Sequence, residues 1–456
     1  MIKITIILCC CMGFSFLQTH EFLVDDRCAE RLSVAELQED FSFFKERLIR
    51  YHPGLYTYAT QTQIDSAFTA IESQLEQPMD DLAFYQLLSP LKSLIKDGHT
   101  YFYPNQQTRD AISEKSALPI DLFWDWENLW VKEVYNATNE VQKGDKVLSI
   151  NGLNAAKVVE KLMTNIIRDG RADSYPRWIM NHWFNEIYHL HFPIPVQWDL
   201  VVEDKEGKEK RIVLANQPRP SVPEQGAKPK GISLYNVGEV TVLKVASFNN
   251  SLLKKRYGQK FRLAIKAAFQ SILANGTNKL ILDLRDNQGG EIDNGRYLLS
   301  FLLEERFAIV RSLKKVVAPE QDIDQARLAY KRFSNNGWTK PQALLYDGEL
   351  LVLINGGSFS CSGAVAAQIE AAKRAILLGE ESGGNSRTFC GVGPQEYLPH
   401  SKISLSVPRV QFQVVDGSEN LGLGVIPDHY AVPSIIDLVQ GRDAVLEKAV
   451  TLFEGP

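Results

Sequence analysis

The chain has 456 residues, 45% of them hydrophobic and 23% charged, enough for two or three buried cores and too apolar for a disordered protein. Its formal charge of −5, without any block of lysine or arginine, leaves no electrostatic footprint for nucleic acid.

Residues 1–20, "MIKITIILCCCMGFSFLQTH", set one lysine before an apolar run of roughly fourteen residues, shorter than the ~20 needed to span a bilayer. This predicts a signal peptide and an exported protein, in the periplasm, the cell envelope or the medium. "LCCC" faintly resembles a lipoprotein cleavage box, so membrane anchoring is expected only through lipidation. Once Cys9, Cys10 and Cys11 leave with the signal, Cys28, Cys361 and Cys390 are too few for a disulfide framework. No cofactor is expected, and no Cys/His spacing suits a structural metal; "HLH" at 189–191 alternates as a strand would.

Residues 31–100 predict a helical domain of three helices. The first opens at Ser33 with Glu36 as its capping-box partner, and the last, "DDLAFYQLLSPLKSLIKDG", ends at Gly98 as a C-cap. Residues 115–216 change to strands, with "EDKEGKEK" as a charged hairpin turn and a helical insertion over 160–190. A proline-rich connector, 216–231, precedes a region 231–456 in which unbroken apolar strands alternate with helices, the pattern of a buried α/β sheet.

Chemistry concentrates in "INGGSFSCSGAVAAQIEAAKR". Here "LLVLIN" reads as a buried strand and "AVAAQIEAAKR" as a helix, so Ser360, Cys361 and Ser362 lie in the turn at the strand's carboxyl end, where open α/β sheets place ligands. A serine there needs a base and an oxyanion site. The Cys361 amide supplies one donor, and the Gly-Gly turn of "LILDLRDNQGG" a second, from Gly289 or Gly290. His99 in "IKDGHTYF" stands out as the base, because it follows a helix end in a polar turn. Cys361 is the rival nucleophile; Ser358 and Ser362 fit turn and cap roles.

"DGHT", "GDKVLSING", "LILDLRDNQGG", "NGGSFSCSGAVAA", "LLGEESGG" and "GLGVIPD" occur in this order. Together they resemble the C-terminal processing, or tail-specific, serine peptidases, and "HPGLY" at 52–56 is similar to the N-terminal segments of their secreted bacterial members. The resemblance implies an α/β multidomain enzyme (α+β overall): a helical cap, a PDZ-like peptide-binding module with an insertion, and a crotonase- or ClpP-like ββα core. It implies Ser360 as nucleophile and, by the tricorn-like branch, His99 as base and Glu419 as supporting acid. Asn385 stands where the Ser-Lys branch carries its lysine, which excludes that dyad. Gly363 and Gly98 depart from a family glutamate and a tricorn serine; Thr100, or Glu419 directly, is expected to replace the missing relay. The expected substrate is a peptide or unfolded protein. The competing expectation is a non-catalytic peptide- or lipid-binding protein on the same fold, separated from the enzyme by whether Ser360, His99 and Glu419 converge.

Overall fold

The structure is a computed structural model that describes residues 31–115, 118–135, 140–216, 230–316, 338–415 and 422–454. The expected signal peptide, most of the proline-rich connector and Glu419 lie outside these residues.

Helix α1 (Val34–Tyr51) starts as its sequence dictates: Ser33 accepts the Glu36 amide while the Glu36 carboxylate accepts the Ser33 amide. Helix α2 (Gln61–Glu72) follows. The segment expected as one third helix is two, α3 (Asp81–Leu88) and α4 (Leu91–Ile95), split at Pro90, which has no amide to continue the ladder. Nor is Gly98 the cap: the left-handed residue that ends α4 is Lys96, at φ 55°. Strand β1 (Tyr101–Tyr103) and helix α5 (Gln106–Lys115) complete this part. Its core is not built from the amino-terminal residues alone, since Leu398, Ile403, Leu405 and Val407 pack among Phe41, Phe44, Phe84 and Phe102.

A second body comprises β2 (Ile120–Trp124), β3 (Leu129–Val134), β4 (Lys146–Ile150), β5 (Leu153–Asn154), α6 (Ala155–Asn165), α7 (Ser174–His191), β6 (Gln197–Glu203) and β7 (Glu209–Ala215). The strands form an antiparallel sheet in the order β2-β3-β4-β6-β7, with β5 paired to β4. The β6–β7 hairpin turns where "EDKEGKEK" predicts, with Gly207 at φ 78°. "HLH" is not strand: both histidines belong to α7, buried against its neighbours, because Phe184 and Tyr188 continue a helical apolar face into the core of this sheet. Helix α7 is kinked at Trp183. It also covers the free edge of β2, where Asn181 bonds the Trp124 amide and carbonyl and Asn185 those of Leu118.

The remaining chain forms β8 (Ile232–Val237), β9 (Val240–Val245), α8 (Asn250–Tyr257), α9 (Phe261–Ala274), β10 (Lys279–Asp283), α10 (Ile292–Leu299), β11 (Ser312–Lys315), β12 (Glu349–Ile354), α11 (Cys361–Ala371), β13 (Ile376–Gly379), β14 (Thr388–Cys390), β15 (Gln395–Tyr397), β16 (Ser404–Ser406), β17 (Val410–Gln413), β18 (His429–Tyr430), α12 (Ile435–Gln440) and α13 (Ala444–Glu454). Its main sheet has the order β18-β13-β12-β10-β9-β8, parallel from β9 to β18. Both faces are covered, one by α9, α10 and α11 and the other by α13, which is why "LIL" at 280–282 and "LLVLI" are apolar at every position. Strand β1 pairs with β16 across some three hundred residues, so the turn that carries His99, just before β1, is stitched onto this region.

Candidate active site

Ser360 sits where β12 ends and α11 begins, at φ 55° and ψ −122°, a conformation a non-glycine residue holds only when its surroundings impose it. Ser358 imposes part of it. Its hydroxyl donates to the Leu284 carbonyl at 2.8 Å and accepts the Asn355 amide at 3.1 Å, making it the turn residue its position suggests. Ser362 is not a cap: its buried hydroxyl has no partner among the described residues. Cys361 points away into the core, its thiol 3.6 Å from the Glu291 carbonyl, and burial pushes its pKa up to about 12. A thiol held so far toward its neutral form is a poor nucleophile.

The turn at 96–100 brings His99 to Ser360, with Nε2 3.0 Å from Oγ across 261 positions of sequence. The imidazole is buried at 1% exposure, and burial lowers its pKa while the Asp97 charge opposes the shift. With Nε2 accepting from the serine, the ring proton lies on Nδ1, which has no acceptor among the described residues.

Thr100, expected beside the imidazole, instead donates to Asp97 Oδ2 at 2.5 Å. His52 reaches the same oxygen at 3.1 Å, and because its Nδ1 accepts the Gly54 amide, its Nε2 is the protonated nitrogen. Burial alone would raise the Asp97 pKa, but the hydrogen bonds from His52 and Thr100 help hold it down at about 2. Its neighbour Asp169 behaves oppositely. Burial first, then repulsion by Asp97, raise it to about 8, against the amides of Asn385 and Gly98. One ionised and one neutral carboxyl therefore share the space behind the base turn.

These contacts account for the departures from the family pattern. A Cβ on Gly98 would stand 2.6 Å from the Phe359 ring, so that ring takes the room a serine would need. A Cβ on Gly363 would lie 3.2 Å from the Gly384 backbone, so any side chain there would require Gly384 to give by a few tenths of an ångström. Asn385 gives its amide to Asp169 and its side chain to the Tyr58 hydroxyl, a structural role in the lysine's place.

Among the three amides considered for an oxyanion, that of Gly289 is already engaged, donating to Asn287 Oδ1 at 2.9 Å. Gly289 instead lets two backbones approach, since a Cβ there would fall 2.8 Å from the Phe359 carbonyl and 2.9 Å from the Cys361 amide. The Gly290 amide and the Cys361 amide, the latter in the first turn of α11, have no acceptor among the described residues. His52, Asp169 and Tyr58 escaped the sequence reading, although "HPGLY" and the "DG" after Arg168 were visible signals. No group of three or more His, Cys, Asp or Glu able to hold a metal ion occurs among the described residues.

A buried parallel sheet presenting a strained serine beside an imidazole, with two free amides nearby, is the framework of a serine hydrolase. Residues 239–430 match the model of Peptidase family S41. It is 25% identical over 229 residues to the chloroplastic carboxyl-terminal-processing peptidase 2 of Arabidopsis thaliana, an overlap of 49% of this chain and 38% of the relative. The chain thus spans well under half the length of the curated relative it matches. In fold it is similar to the crystal structure of mature CPAF, with a TM-score of 0.69 at 14% identity over 91% of this chain and 96% of that one. The structure of mature CPAF complexed with lactacystin gives 0.70 at 13% identity over 92% and 97%. The α/β multidomain architecture agrees with both.

Proposed function

We propose that the protein hydrolyses peptide bonds by acyl transfer, with Ser360 as nucleophile and His99 as general base. The 3.0 Å approach of His99 Nε2 to Ser360 Oγ carries this reading. Ser360 attacks the scissile carbonyl as its proton passes to His99; the amides of Cys361 and Gly290 hold the oxyanion; His99 then protonates the leaving amine, and water repeats the sequence on the acyl-enzyme. Burial lowers the His99 pKa, which favours the unprotonated ring that can accept the serine proton. Glu419 is proposed as the acceptor for Nδ1, supported by that atom's burial without a partner among the described residues.

Substrates on this reading are peptides or unfolded proteins outside the cytoplasm, as the amino-terminal signal suggests. The β2–β7 body is proposed as a PDZ-like module, with one modification: Asn181 and Asn185 of α7 occupy the β2 edge that strand addition would use. Recognition of a free carboxyl terminus at that edge then requires α7 to yield.

Labelling with a fluorophosphonate tests the nucleophile. Wild type labels and turns over β-casein, Ser360→Ala does neither, and Cys361→Ser retains both; labelling of Ser360→Ala would overturn the assignment.

A further inference from the structure

The catalytic imidazole is one end of an aromatic column. His99 lies on Phe359 with ring centroids 4.9 Å apart and planes 21° apart. Phe359 lies on Tyr175 at 4.1 Å and 3°, Tyr175 on Trp178 at 6.0 Å and 13°, and Trp178 on His182 at 4.3 Å and 33°. The last three rings belong to α7, the helix inserted into the β2–β7 body, and Phe359 directly precedes Ser360. Tyr175 and Phe359 are 4% and 2% exposed, so solvent does not compete for these faces.

The core loops are shaped to receive this helix. A Cβ on Gly357 would meet the Trp178 ring at 2.5 Å, and one on Gly383 the Tyr175 Cβ at 2.9 Å. The Gly-Gly pair of "NGGSFS" thus makes room for α7 as well as turning the chain. Two polar contacts fix the helix on the same loops. Arg177 grips both oxygens of Glu380 at 2.6 Å with both side chains buried, and Trp178 Nε1 donates to Asp286 Oδ1 at 2.8 Å in the turn leading to Gly290.

We infer that Tyr175 is a positioning residue for the general base: its ring, through Phe359, sets the plane and depth of the His99 imidazole against Ser360. The inference rests on the Ser360–His99 reading. A flat partner at 4.1 Å admits sliding but not tilting, so the stack restrains ring orientation where a carboxylate on Nδ1 would restrain only rotation about one bond. The hydroxyl of Tyr175 has no part in it. An aliphatic side chain would fill the volume without holding the plane.

The test uses the full chain and a fluorophosphonate, which reports acylation without engaging a peptide groove. Tyr175→Phe should label Ser360 within twofold of wild type. Tyr175→Leu should label about tenfold more slowly, lower kcat on β-casein about as much with KM little changed, and move the acidic limb of the pH–labelling profile upward as water reaches the imidazole. Tyr175→Met, which leaves a smaller void, should fall between and serves where the leucine variant does not fold. Equal labelling by the aliphatic variants and wild type overturns the inference, as does an unmoved acidic limb, or a Phe variant as slow as the Leu variant. Labelling of Ser360→Ala would instead show that the underlying reading had failed, so the two failures are told apart.

Discussion

The two turns that meet at the site are held by different means. The nucleophile turn, 354–363, is anchored mostly by residues next to it in the chain or on the adjacent strand loop: Ser358 binds Asn355 and Leu284, and Phe359 donates its amide to the Asn287 carbonyl. The base turn, 96–100, draws its partners from everywhere, from His52 on Asp97, Asp169 on Gly98, and Phe359 on His99 itself. A turn held by its own strand and helix arrives formed when the sheet folds. A turn held by three distant segments is correct only when the whole molecule is correct, and is the place where small changes should act on catalysis.

The comparison is broken most severely at the meeting point. His99→Ala should lower kcat by on the order of 10^6-fold, as removing the base leaves only binding and the oxyanion amides. Retention of more than about a thousandth of wild-type turnover would count against the base assignment.

Next in size is the contact between the turns. Gly98→Ser puts a Cβ within 2.6 Å of the Phe359 ring, and overpacking of about 1–3 kcal/mol should reduce turnover by tenfold or more. The double variant Gly98→Ser/Phe359→Leu should be no worse than Phe359→Leu alone, because the clash is then gone. Simple additivity in this kinetic cycle would show that the two residues do not compete for one space.

Asp97→Asn probes the electrostatic support. Asp97 raises the His99 pKa, so its removal should move the acidic limb of activity to lower pH while kcat falls several-fold, measured as kcat against pH. Stability should fall by about 1–3 kcal/mol at pH 7 by urea titration, from the polar groups of His52 and Thr100 left poorly matched. Since the folded pKa of Asp97 is depressed to about 2, its contribution is present above the unfolded value and is lost as pH falls toward 2.

The smallest expected effect on turnover lies away from both turns. His189 and His191 are buried neutral in α7, with pKa values pushed down to about 4 and about 3, by burial first in each case. Unfolded histidine takes up protons near pH 6.5 while the folded rings do not. Stability should therefore decline below that pH by up to about 1.4 kcal/mol per pH unit per ring, levelling off for each ring once its folded pKa is reached. Urea midpoints at pH 7 and pH 5 measure this, and His189→Gln should flatten the difference.

Much of the architecture was legible because it is written in local pattern. The capping box at Ser33 and Glu36, the charged hairpin of β6 and β7, and the unbroken apolar runs of β10 and β12 each state their structure within a few residues. The misreadings have physical reasons too. "HLH" alternates over three residues only, too short a window to outvote the helical face set by Phe184 and Tyr188. Pro90 breaks a helix whose apolar spacing runs on through it.

By itself the sequence determined that a serine would stand at a strand-to-helix turn of a buried sheet, and that His99 was the histidine to watch, because strand, turn and helix are local properties and the motifs are contiguous. Only the tertiary structure decided that Gly98 must lack a side chain, that Thr100 serves Asp97 and not the imidazole, and that the Gly289 amide is engaged by Asn287. Those outcomes depend on which atoms from distant segments fill the same few cubic ångströms, and excluded volume and hydrogen-bond pairing across the fold leave no mark in the local order of residues.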